Sequence, residues 1–188
     1  GTKAIEYVVN DEEHAGDVMF VSGWNGTLYR YSGLKDVYSQ EDVDNSLVKK
    51  QLETSPGSFS AGSAITGVSV DPNNPNHVVF TVGGYGPLSS GKVRESWDAL
   101  SPSPTFANIW SVAGLGNMPI YDVVIDFQDA SGATIVIGTE YGAFVTDNGG
   151  DDWTISNLGM ASTSESLTAP IFDLKQQWRS DTRWSSPT

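Results

Sequence analysis

Apolar and other residues alternate along Ile65-Thr-Gly-Val68-Ser-Val70-Asp71, and the run stops at an aspartate. The same phrase returns 55 residues later as Ile120-Tyr-Asp-Val123-Val-Ile125-Asp126. Period-two alternation predicts a strand, because successive side chains point to opposite faces, and the closing Asp suits a turn. Ile5-Glu-Tyr-Val8-Val-Asn-Asp11 is a looser copy, and Ile171-Phe-Asp-Leu174 begins the phrase again. A second phrase follows the first three. It reads Phe20-Val21-Ser-Gly-Trp-Asn-Gly26-Thr-Leu28, then Phe80-Thr-Val82-Gly83-Gly-Tyr-Gly86, then Val136-Ile137-Gly-Thr-Glu-Tyr-Gly142-Ala-Phe144. Each joins an apolar strand to another through a Gly-containing turn, as a hairpin does.

The repeat predicts an all-β chain of four-stranded antiparallel units, the spacing of β-propeller blades. The units run over about 1–63, 64–117 and 118–168, and 169–188 supplies the first strand of a further blade. In the third unit the strands are expected near 119–127, 133–139, 142–147 and 153–158. Segment 35–62 reads as a long insertion in the first unit, and 41–53 within it is the best helix candidate. Propellers have about 4–8 blades. Three blades and one strand therefore predict an incomplete propeller, whose remaining blades belong to another chain or to another part of the same protein.

The third unit carries the most distinctive turn, Thr146-Asp147-Asn148-Gly149-Gly150-Asp151-Asp152-Trp153. It resembles the Asp-box, the bacterial neuraminidase repeat. Thr146, Gly150 and Trp153 fall on that family's pattern; Asn148 stands where the family has Asp, and Asp152 where it has Thr or Ser. Both replacements can still bond backbone amides within a turn. Ser96-Trp-Asp98 with Thr105-Phe106 looks like a stretched copy in the second unit. Residues 65–86 and 118–127 are similar to Asp-box propellers of large secreted bacterial proteins, frequent in Bacteroidetes, and 169–188 is similar to the opening of their final blade. The resemblance spans residues 64 to 184. It implies a secreted or cell-surface location, and boxes on the outer rim that hold structure rather than do chemistry.

Charge narrows the partners. Ten Lys and Arg against 23 Asp and Glu give a net charge of −13, which repels a phosphate backbone and excludes nucleic acid. With no cysteine there is no disulfide framework and no thiolate site. No apolar run reaches the ~20 residues of a membrane-spanning helix, and no signal peptide is read. No cofactor is expected. The one metal candidate is calcium, through the hard oxygens of Asp147 and Asp151 beside Asn148 and Asp152. His14 and His77 read as residues of polar loops without a third ligand.

No residue matches a family catalytic motif, so no catalytic residue is assigned. Sialidase chemistry needs an arginine cluster and a tyrosine with a glutamate partner. The four arginines, Arg30, Arg94, Arg179 and Arg183, read as solvated or rim residues. Asp71, Asp122, Asp126 and Asp173 sit at strands or strand ends and read as turn caps. Tyr85, Tyr141 and Trp24 share a turn position, where they serve either a sugar-binding face or packing between blades. The leading expectation is a non-catalytic propeller segment acting as scaffold or protein-interaction surface. The alternative is a carbohydrate-binding or glycoside hydrolase propeller, sialidase- or xyloglucanase-like, with its site largely in absent blades.

Overall fold

A computed structural model describes residues 2–7, 16–23, 26–53, 64–86, 91–112, 115–156 and 169–176. The fold is all-β. The first sheet holds β1 (Thr2–Tyr7), β2 (Met19–Gly23), β3 (Leu28–Ser32) and β4 (Val48–Glu53). The second holds β5 (Ile65–Asp71), β6 (Asn74–Val82), β7 (Val93–Ser96) and β8 (Ala107–Asn108). The third holds β9 (Ile120–Ile125), β10 (Ile135–Thr139), β11 (Gly142–Thr146) and β12 (Thr154–Ile155). Every sheet pairs its strands antiparallel in chain order, the meander of a propeller blade.

The pairings check the repeat residue by residue. Ile65 faces Val82 and Val68 faces Phe80; in the next sheet Ile120 faces Thr139 and Val123 faces Ile137. The 55-residue overlay of β5 on β9 therefore holds. The looser overlay of β1 does not. Ile5 faces Val21, so it takes the place of Val123 rather than that of Ile120. A shift in register between Thr2 and Ile5 accompanies this difference.

Of the expected insertion 35–62, residues 54–62 lie outside the described residues. A seven-residue helix, α1 (Gln40–Ser46), occupies its start. The Ser39 side chain accepts from the Asp42 amide at 3.2 Å, and Asp42 accepts from the Ser39 hydroxyl at 2.9 Å, a reciprocal cap that fixes where the helix begins. The helix stops there. Residues 48–53, read as its continuation, instead complete the first sheet as β4.

The sheets stack through two apolar layers. One gathers Phe20, Leu28, Ile65, Val68, Val78, Phe80 and Val82. The other gathers Val79, Trp110, Ile120, Val123, Ile135, Ile137 and Phe144. Strand β6 feeds both, with Val78, Phe80 and Val82 on one face and Val79 on the other, because its blade has a neighbour on each side. The first strands β1, β5 and β9 stand side by side. Residues 169–176 continue this inner row: the Ile171 amide donates to Thr139 O at 3.0 Å and the Leu174 amide to Asp122 Oδ2 at 2.7 Å. They make no strand ladder.

Candidate functional site

The inner row encloses a cleft of about 570 Å³, lined by Glu6, Ser69, Asp122, Phe172, Asp173 and Lys175 among others. Three carboxylates converge on it from three inner segments. Burial pushes the Glu6 carboxyl up to about 7, and the negative charge of Asp122 adds to the effect. Asp122 is also raised. Burial dominates, the amides of Leu174 and Val123 pull the other way, and Asp173 pushes it up further. Asp122 is therefore not the turn cap expected of it, because it faces the cleft. Asp173 is exposed and pairs with Lys175 at 3.2 Å. Asp71 and Asp126 do cap turns, accepting from the amides of Asn73 at 2.8 Å and Gln128 at 3.0 Å.

A second polar group lies at the start of β9 and the neighbouring hairpin loops. The Tyr121 hydroxyl donates to Glu140 Oε2. The Tyr85 phenol is also raised, by burial and then by the same carboxylate. Burial, then Glu140, raises Tyr121 well above the usual phenol range. A phenol that holds its proton so firmly is a hydrogen-bond donor, not a ready nucleophile. A tyrosine–glutamate pair alone does not make sialidase chemistry, which also needs an arginine clamp. Arg30 donates to Ala99 O at 2.7 Å and Ser101 O at 3.3 Å, joining the first blade to the second. Arg94 is buried, not solvated or at a rim as expected, and donates to Phe106 O at 2.5 Å. Arg179, Arg183, His14, Trp24, Trp178 and Trp184 lie outside the described residues.

His77 departs furthest from expectation. It is on β6, fully buried, rather than in a polar loop. Nδ1 is 3.1 Å from Asp71 Oδ2 and Nε2 is 2.9 Å from Glu95 Oε1, while Trp97 stacks on the ring at 3.7 Å. Each ring nitrogen thus has a carboxylate oxygen within hydrogen-bond reach. The two carboxylates sit at opposite ends of the ring, so they do not converge on one point. The apolar run Val78-Val-Phe80 directly after His77 is the signal that could have revealed the burial, since the five residues following it are all buried.

The turn at 146–153 closes on itself. Thr146 Oγ1 donates to Asn148 Oδ1 at 2.8 Å and accepts from the Gly150 amide at 2.9 Å. Asn148 Oδ1 also accepts from the Asp152 amide at 3.0 Å. The second unit repeats the scheme despite its longer turn: Ser96 Oγ bonds Asp98 Oδ1 at 2.9 Å, and Asp98 Oδ1 accepts from the Thr105 amide at 2.8 Å. Trp153 does not rest only on its own hairpin. Its Nε1 donates to Ile109 O at 2.7 Å and its ring meets Trp110 at 5.3 Å. Asp147 and Asp151 are exposed, and among the described residues no group of three or more His, Asp or Glu is placed to hold a metal ion.

No protein-family model and no curated protein matches the chain. Among the described residues no helix is long and apolar enough to cross a membrane.

Proposed function

We propose that the chain is a run of consecutive blades from a larger Asp-box propeller of a secreted or cell-surface bacterial protein. It acts as a non-catalytic scaffold and protein-interaction surface. Its first partner is the remaining set of blades, on another chain or another part of the same protein.

One observation carries this reading. Thr66, Tyr121 and Phe172 occupy equivalent inner positions, and the first two reach the next inner segment. Thr66 Oγ1 donates to Ile120 O at 2.6 Å, and the Tyr121 ring meets Phe172 at 4.6 Å. Phe172 is next in that series and is 66% exposed. An aromatic on a blade-facing position, left bare at the end of the described row, fits the packing surface of one more blade. Native mass spectrometry followed by denaturation tests this. The expected result is a particle heavier than the 20.1 kDa chain that releases further propeller sequence on denaturation. A lone chain that unfolds cooperatively would overturn it.

A second reading rests on Glu6 and Asp122, which face one another's charge in the same cleft. A carboxyl held near pH 7 suits a general acid, so this pair favours a glycoside hydrolase. Hydrolysis of xyloglucan oligosaccharides or sialyllactose that is lost in Glu6→Gln would support it. No turnover of either by the assembled particle would remove it.

A further inference from the structure

We infer that Asn148-Gly149 is a deamidation site that the folded turn keeps shut, so that the modification proceeds only when the turn at 146–153 opens. The inference does not depend on the scaffold reading. It concerns the chemistry of one dipeptide, not what the blades dock against.

The pair is reactive by composition. A backbone nitrogen can attack the side-chain carbonyl of an asparagine before it, and glycine has no Cβ to hinder the approach. In that step the Gly149 nitrogen gives its proton to a solvent base and forms a bond to Asn148 Cγ. The Cγ–Nδ2 bond breaks, and Nδ2 leaves, reprotonated, as ammonia. Water then opens the cyclic imide at one of its two carbonyls, leaving aspartate or isoaspartate at this position. Water is the only co-reactant, and nothing bars it. Asn148 is exposed, and a Cβ on Gly149 would meet nothing within 4 Å. Neither burial nor crowding protects the pair.

Hydrogen bonds do. The Gly149 amide donates to Ala133 O at 3.0 Å, so the attacking nitrogen has its proton held. Asn148 Oδ1 accepts from Thr146 Oγ1 at 2.8 Å and from the Asp152 amide at 3.0 Å, which pins the carbonyl to be attacked. Donors on Oδ1 also draw electrons from Cγ, so the direction of the effect rests on the nitrogen. A hydrogen-bonded amide loses its proton only when its bond opens, as in hydrogen exchange. Deamidation here therefore waits on the same opening. Its two products differ in consequence. Aspartate keeps the acceptor at Oδ1. Isoaspartate routes the main chain through the side-chain methylene and makes the opening permanent, in the turn that meets Ile109 through Gly150 and Trp153.

The test incubates the full chain in mildly alkaline buffer, folded and in urea, and follows the amide-to-acid mass gain at Asn148 by peptide mass spectrometry. The folded rate is expected to be at least about tenfold below the rate in urea. Asn25-Gly26, the other Asn-Gly pair of the sequence, calibrates the rate in urea. Thr146→Val keeps the shape but removes the hydroxyl that donates to Asn148 Oδ1 and accepts from the Gly150 amide. With circular dichroism like the parent's, it should move the folded rate toward that in urea. The inference is overturned if Asn148 deamidates as fast in the folded chain as in urea, if it stays intact in urea while Asn25 reacts, or if folded Thr146→Val keeps the parent's rate. Should Thr146→Val fail to fold, the comparison of folded and unfolded parent still decides.

Discussion

Single residues show where buried charge has consequences. Glu6 holds its proton more tightly in the folded chain, near pH 7, than the usual 4.5. Between those values the folded state binds more protons than the unfolded one, so this group makes stability rise as pH falls through the window. Above about 7 the cost of its charge is felt in full. Glu6→Gln is therefore expected to be more stable than the parent at pH 8, with the gap closing toward pH 4.5. Urea midpoints across that range check this, and a gap that widens on acidification would refute it. His77 is a buried group held by geometry. His77→Ala leaves buried Asp71 Oδ2 and Glu95 Oε1 without the ring that bonds both and is expected to cost at least about 1–3 kcal/mol, read by urea unfolding at pH 7. Little of this was legible in the sequence. Asp122 looks like any strand aspartate, and only the side-by-side packing of inner segments turns it toward Glu6. His77 was hidden by the Asn and Pro around it, which mark a turn although β6 begins at Asn74.

At the scale of elements, alternation and turn chemistry carried most of the information. Strands β9, β10 and β11 fall where the third unit's pattern puts them, because each has one strongly apolar face to bury. Strand β4 escaped notice for the converse reason. Val48-Lys-Lys-Gln-Leu-Glu53 is an outer strand with charged residues along it, a composition that blunts an exposed edge and reads equally as the end of a helix. The turn at 146–153 could be read in outline, yet its second role could not. Gly150 sits at φ 93°, and a Cβ there would lie 2.6 Å from Ile109 Cβ and 2.8 Å from Ile109 O. The turn is thus pressed against the segment that enters the third blade, and Trp153 bonds the same carbonyl. Gly150→Ala is expected to cost at least about 1–3 kcal/mol from backbone strain alone. Asn148→Asp keeps the acceptor but replaces the Nδ2 donor, 3.4 Å from Asp152 Oδ2, with a second carboxylate, a cost of about 1 kcal/mol or less at this exposed position, whereas Asn148→Ala leaves the Asp152 amide without its acceptor. Thermal melts of the three variants should rank Asn148→Asp above Asn148→Ala and Gly150→Ala; a neutral Gly150→Ala would mean that the turn does not bear on the neighbouring segment.

The whole molecule is a row of blades whose contacts pass from each inner segment to the next. Ser22 Oγ bonds Ile65 O at 3.5 Å, Thr66 bonds Ile120 O, and the Ile171 amide bonds Thr139 O. Close approach is built in as well: a Cβ on Gly67 would strike Asp122, and one on Gly138 would strike Ile171. Such a row is stabilised by each neighbour interface, so the last of its described members is the least supported. Phe172 occupies that place. Phe172→Asp gives up its contact with Tyr121, worth about 0.5–1.5 kcal/mol, and leaves the layers around Phe80 and Ile137 untouched. Its own blades are expected to stay folded. If a further blade docks on this face, as proposed, a charge there should prevent it, because burying it unpaired costs far more than the ring contact supplies. In native mass spectrometry the variant should appear as the separate chain where the parent appears in the larger particle. If the variant still assembles, the remaining blades do not pack against Phe172, and the row closes through some other surface.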